Sequence, residues 1–71
     1  MMTAMRLVVN GERMELDAID LDVATLLARM GLGSQPCAVE VNRVVVPKAD
    51  HATHALRDDD QVEIVTLVGG G

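Results

Sequence analysis

The dipeptide Asn10-Gly11 constrains this chain more than any other pair of residues, because of what flanks it. Before it, Met5, Leu7 and Val9 alternate with Arg6, Val8 and Asn10; after it, Met14 and Leu16 alternate with Arg13, Glu15 and Asp17. A period of two marks a strand with one apolar face. Asn-Gly supplies the positive φ angles of a two-residue type I′ turn, so the two segments are predicted to form an antiparallel hairpin with a single apolar face. That face needs a cover.

The cover follows in sequence. Asp22 is placed to cap a helix whose apolar stripe is Val23, Leu26, Leu27 and Met30, with Gly31 at its exit. Residues 33–36 read as a loop. Cys37, Val39 and Val41 alternate with Ala38, Glu40 and Asn42 to give a third strand, and Val44, Val45 and Val46 give a short fourth before Pro47. Asn42-Arg43 is the expected turn between them. The pattern from Lys48 to Leu56 is weak and reads as one helical turn and a loop. Asp58, Asp59 and Asp60 form an acidic turn, and Val62 and Ile64 point inward from a final apolar run over residues 62–68. This order places the final strand parallel to the first at the centre of a mixed sheet. The predicted fold is therefore α+β, a ubiquitin-like β-grasp with four to five strands and one main helix packed across them. The domain is expected over residues 5–68, preceded by an extension at 1–4 and followed by a flexible glycine tail at 69–71.

At 71 residues the chain holds one small domain. Its single cysteine excludes an internal disulfide framework and a Cys-rich zinc site, and fits a reducing compartment. There is no stretch of about eighteen apolar residues and no basic, apolar leader, so no membrane span is predicted and a cytoplasmic location is expected. Eleven acidic residues against six basic ones give a formal charge of -5, and Phe, Tyr and Trp are absent. Neither phosphate neutralisation nor base stacking is served by that composition, which argues against a nucleic-acid partner. An acidic chain suits partners with basic docking surfaces.

Several residues are candidates for chemistry. Cys37 is the only thiol, but it falls in phase with Val39 and Val41 and has no neighbouring cation in sequence to lower its pKa, so a core role is predicted. His51 and His54 share one face of a helical turn near Asp50; without further ligands they are read as part of a solvated loop. The Asp58 to Asp60 run lacks the alternating ligands and final Glu of a calcium loop and is read as a turn. No catalytic triad, phosphate-binding loop or paired catalytic carboxylates can be assembled, so the chain is not expected to be an enzyme. Val65 and Leu67 lie on the face of the last strand opposite Val62 and Ile64. Two readings stand for them, a docking surface beside the tail and ordinary exposed apolar side chains.

Gly69, Gly70 and Gly71 also carry two readings. A glycine-rich end is commonly frayed. It is also a segment that can thread a narrow channel, ending in the least hindered acyl group a chain can offer. An α-carboxyl titrates near ~3.5 and is ionised at neutral pH. A carboxylate is a poor electrophile, so its use in acyl chemistry requires activation by a partner holding ATP.

These residues resemble the thiamin-biosynthesis sulfur-carrier family of small ubiquitin-like proteins. The matching segments are Met5-Arg-Leu-Val-Val-Asn-Gly-Glu12, Val23-Ala-Thr-Leu-Leu27, Val39-Glu-Val-Asn-Arg-Val-Val-Val-Pro47 and Asp60-Gln-Val-Glu-Ile-Val-Thr-Leu-Val-Gly-Gly-Gly71. The resemblance implies that the Gly71 carboxylate is adenylated by an E1-like enzyme, converted to a thiocarboxylate and used as sulfur donor to thiazole synthase. It implies no bound cofactor, ATP being used by the activating partner, and a cysteine desulfurase as indirect sulfur source. Gly70 and Gly71 match the family's reactive diglycine. Leu67 stands where many members have an aromatic residue, and Asp59 where the turn often has Gly. Molybdopterin-type sulfur carriers and covalent protein modifiers share the fold and tail; a β-grasp binding module with an inert tail is the third alternative.

Overall fold

A computed structural model describes residues 4–67; Val68, the expected tail at 69–71 and most of the expected extension, residues 1–3, lie outside them. Asn10 and Gly11 adopt φ of 50° and 84°, both in the left-handed region that the sequence pair favours. They join β1 (Ala4–Val9) to β2 (Glu12–Asp17), with Met5 opposite Leu16 and Leu7 opposite Met14. Strand β1 begins at Ala4, one residue before the expected start. Met5, Leu7 and Val9 are buried, and Met14 and Leu16 pack half-buried against the same core.

Helix α1 (Val23–Arg29) buries Val23, Leu26 and Leu27. Its first four amides, which a helix cannot satisfy internally, all have partners. Val23 N–H donates to the His54 carbonyl, Ala24 N–H to the His51 carbonyl, Thr25 N–H to Asp22 Oδ1 at 2.7 Å, and Leu26 N–H to the Asp22 carbonyl. The helix ends in a Schellman motif. Gly31 at φ 77° lets its own N–H reach the Ala28 carbonyl and the Leu32 N–H reach the Leu27 carbonyl.

Strand β3 (Cys37–Val41) turns through Asn42 and Arg43, at φ 51° and 68°, into β4 (Val44–Val46). A 3-10 turn (Lys48–Asp50) and a loop then lead to β5 (Asp60–Thr66). The sheet order is β2-β1-β5-β3-β4. Strand β5 runs parallel to β1, with Val9 beside Val62, and antiparallel to β3, with Val39 beside Ile64. The first and last strands therefore form the centre, as the β-grasp reading requires. Leu7, Val39, Val62, Val23 and Leu26 are almost fully buried between sheet and helix.

The segment expected as a solvated loop differs in one respect. His51 is buried at 8% exposure, and its Nε2 lies 3.1 Å from the Val46 carbonyl. A carbonyl only accepts, so Nε2 carries the proton, and the His51 carbonyl in turn accepts from the Ala24 N–H at the helix N-terminus. The weak periodicity concealed this, because His51 is held by its fit to α1 and β4 and not by a repeating pattern. The acidic turn forms as expected. Asp59 takes φ 70°, a conformation glycine adopts freely and Asp tolerates better than most residues.

Candidate functional site

The end of β5 is the site around which the candidate residues gather. Period-two parity sends Val62 and Ile64 into the core and Glu63, Val65 and Leu67 to the face without the helix. Val65 and Leu67 are 59% and 52% exposed. Val65 lies opposite Ala38, and the Leu67 N–H donates to the Pro36 carbonyl at 2.9 Å, so an apolar strip from both strands borders the last described residue. One step back along the strand, Glu63 lies directly opposite Glu40. Both carboxylates are exposed, and the ion pair recorded among the described residues, Arg6 with Asp58, involves neither. The face thus couples an apolar strip to a negative step.

Two asparagines hold β5 in register. At its start, Asn42 accepts from the Gln61 N–H at 3.0 Å and donates through Nδ2 to Asp60 Oδ1 at 2.9 Å. Further along, Asn10 donates its backbone N–H to the Val62 carbonyl, accepts from the Ile64 N–H at 2.8 Å through Oδ1, and donates to the Ile64 carbonyl at 3.1 Å through Nδ2. The Asn10 side chain thereby stands in for the next residue of β1. These tethers were not legible in the sequence: the turn role of both asparagines is local, while their grip on β5 depends on residues distant along the chain.

Arg6 donates to Asp58 from three atoms, Nη2 to Oδ2 at 2.8 Å, the backbone N–H to Oδ1 at 2.7 Å and Nε to Oδ1 at 3.5 Å. Hydrogen bonding from the Arg6 side chain, then from its backbone, lowers the Asp58 pKa below the ordinary carboxylate value; the same side-chain bond raises that of Arg6.

The other sequence candidates fall elsewhere. Cys37 opens β3 half-buried against the core, and its thiol donates to the Gln35 carbonyl at 3.4 Å. It also lines a surface cavity of about 350 Å³ together with Lys48 and His51, so its burial is less complete than the core reading required. Among the described residues no group of three or more His, Cys, Asp or Glu side chains is placed to hold a metal, and no helix is long and apolar enough to cross a membrane. Gly69, Gly70 and Gly71 lie outside the described residues.

The ThiS family model matches residues 4–71, nearly the whole chain. The chain belongs to the ThiS family. Among solved structures, this ThiS chain is similar to the crystal structure of a thiamine biosynthesis protein (ThiS) from Geobacter metallireducens, with a TM-score of 0.80 at 32% identity over 94% of this chain and all of that one. It is also 36% identical to ycf40, an uncharacterised protein of Porphyra purpurea, over 89% of this chain and 87% of the relative. A thiazole synthase of Paramagnetospirillum magneticum is 43% identical over 94% of the ThiS chain. The chain spans about a fifth of the length of the thiazole synthases it matches.

Proposed function

We propose that this ThiS chain is a sulfur carrier of thiamin biosynthesis that works through the carboxylate of Gly71. The observation that carries the reading is the family match across residues 4–71, which takes in the glycine run together with the domain. In the proposed cycle the Gly71 carboxylate attacks the α-phosphorus of ATP in an E1-like enzyme and pyrophosphate leaves. The resulting mixed anhydride replaces a poor leaving group with AMP. Persulfide sulfur drawn from a cysteine desulfurase attacks the acyl carbon through its terminal sulfur and expels AMP. A second thiol of the delivering enzyme then reduces the acyl disulfide, releasing the thiocarboxylate and leaving a protein disulfide. Thiazole synthase consumes that sulfur, and the carrier returns as the carboxylate.

The chain is in this reading a substrate of partner enzymes and not a catalyst. Val65 and Leu67 serve as the apolar dock at the root of the tail, and Glu40 and Glu63 favour partners with basic surfaces. Thiazole synthase as partner draws support from relatives that bear that name and include a segment like this chain. Joining two modules in one polypeptide raises their effective concentration and favours units that work together.

Intact mass spectrometry of protein purified with its cognate biosynthetic enzymes tests the proposal. The expected result is a fraction heavier by the difference between sulfur and oxygen, localised to Gly71 by fragmentation and discharged by thiazole synthase. Discharge only into molybdopterin synthesis would move the chain to another pathway, and lysine conjugates without thiocarboxylate would make it a modifier. Failure to form a thiocarboxylate with any activating enzyme of the same cell removes the carrier reading.

A further inference from the structure

The two edges of β5 end at different points. In an antiparallel pair, opposed residues alternate between exchanging hydrogen bonds and pointing them away. The Leu67 N–H bonds to Pro36 and the Gln61 N–H to Asn42, so the odd-numbered residues of β5 turn their backbone groups toward β3. The even-numbered residues turn theirs toward β1, as the bonds of Val62 and Ile64 to Asn10 show. On that side β1 has already turned away at Asn10-Gly11, and the Asn10 side chain closes the ladder at Ile64. The next even residue is Thr66, whose N–H and C=O face a notch above the turn with no partner among the described residues. Thr66 is exposed and flanked by the exposed Val65 and Leu67.

We propose that this notch receives an extended backbone segment of thiazole synthase, which pairs with Thr66 and adds to the sheet as a short strand beside the end of β5. Strand addition takes its affinity from main-chain hydrogen bonds and its selectivity from alternate side chains, and both are available here. The N–H and C=O of Thr66, without a partner among the described residues, supply the first, and Val65 with Leu67 supply the second. The occupant is argued from the matched thiazole synthases, which carry a segment like this one within their own chain, and from position: pairing at Thr66 leads in chain order directly to the residues that the synthase must hold. Asn10 is then a positioning residue, since its side chain fixes where the internal ladder stops and the notch begins. The inference rests on the reading of thiazole synthase as partner and goes beyond it by specifying the contact.

Amide hydrogen exchange tests it on the full chain, alone and bound to the thiazole synthase of the same organism. Thr66 is expected to exchange rapidly in the free protein and about two- to twelvefold more slowly in the complex, the protection that one net hydrogen bond confers. The Leu67 amide, already held by Pro36, should be protected in both. Thr66→Pro removes the donor, which β3 does not use, and also fixes φ, so circular dichroism must first show the variant folded as wild type; Thr66→Val keeps the donor. The proline variant should lose at least about fivefold in affinity and the valine variant should bind as wild type. Unchanged exchange at Thr66 within a formed complex overturns the proposal, as does equal binding by the two variants. Protection that grows with concentration of the free protein would assign the notch to a second copy and overturn it equally. The mass of the Gly71 thiocarboxylate is read on the same samples, so loss of the carrier reading and loss of the notch are seen separately.

Discussion

Asn10 joins turn geometry to the grip on β5, and substituting it separates the two contributions. Its side chain makes two hydrogen bonds to Ile64, each worth about 1 kcal/mol net. Its φ of 50° would cost a residue with an ordinary Cβ about 1–2 kcal/mol. Asn10→Ala loses both bonds and adds the strain, for a destabilisation of about 3–4 kcal/mol. Asn10→Gly loses the bonds without the strain but makes the unfolded chain freer, for about 2–3 kcal/mol. Asn10→Asp keeps the acceptor for the Ile64 N–H and tolerates the conformation, but it loses the donor and turns a carboxylate oxygen toward the Ile64 carbonyl, for at least about 1–2 kcal/mol. In a domain of this size each kcal/mol displaces the melting temperature by about 4–8 °C. Urea unfolding followed by far-ultraviolet circular dichroism suits the series, because the chain has no Phe, Tyr or Trp to report by fluorescence. The result that matters is that Ala destabilises more than Gly. If Asn10→Ala and Asn10→Gly both lie within about 0.5 kcal/mol of wild type, the range of an ordinary surface substitution, the clamp does not hold β5.

Leu67→Asp should leave the melting temperature within a few degrees of wild type and weaken binding to the activating enzyme by about 2–4 kcal/mol by calorimetry. Ile64→Asp, which buries a carboxylate in the core, should cost more than about 4 kcal/mol; equal melting of the two variants would reverse the assigned faces of β5. The folded-state pKa of Asp58 lies below its unfolded value of ~3.9, so its contribution is present above that value and is lost as pH falls through the lower folded value. Asp58→Asn should accordingly show a smaller fall in melting temperature than wild type on acidification from about pH 5 to pH 2, and parallel curves would refute the linkage. Glu63→Gln relieves the like-charge pair with Glu40 and should raise stability by about 0.2–1 kcal/mol in low salt, a gain that shrinks as salt is added.

What the sequence disclosed follows the range of the forces involved. The Asn10-Gly11 turn, the Asp22 cap, the Gly31 exit and the exposure of Val65 and Leu67 are set by residues within a few positions, and each was readable from type and spacing. The central pairing of β1 with β5 was readable from element order. Burial of His51 was not, since it depends on α1 and β4 meeting over a segment with no periodicity of its own. The Asn10 and Asn42 tethers were hidden for the same reason: both residues explain themselves as turn formers, and nothing nearby announces a second partner. At the candidate site the apolar strip was legible through parity, while the notch required knowing where β1 stops.

The parallel placement of β1 beside β5 has a mechanical consequence. Ala4 lies at the start of one strand and Thr66 at the end of the other, and the two strands run in the same direction. Tension applied between those residues pulls the strands lengthwise past each other. The rungs that join Leu7, Val8 and Val9 to residues 60–62 then bear load together, with the Asn10 bonds to Ile64 in line behind them. Such a ladder cannot be peeled one bond at a time, as a hairpin pulled from its open end can. A pull on the end of β5 while β1 is held would therefore load the rungs of this ladder together.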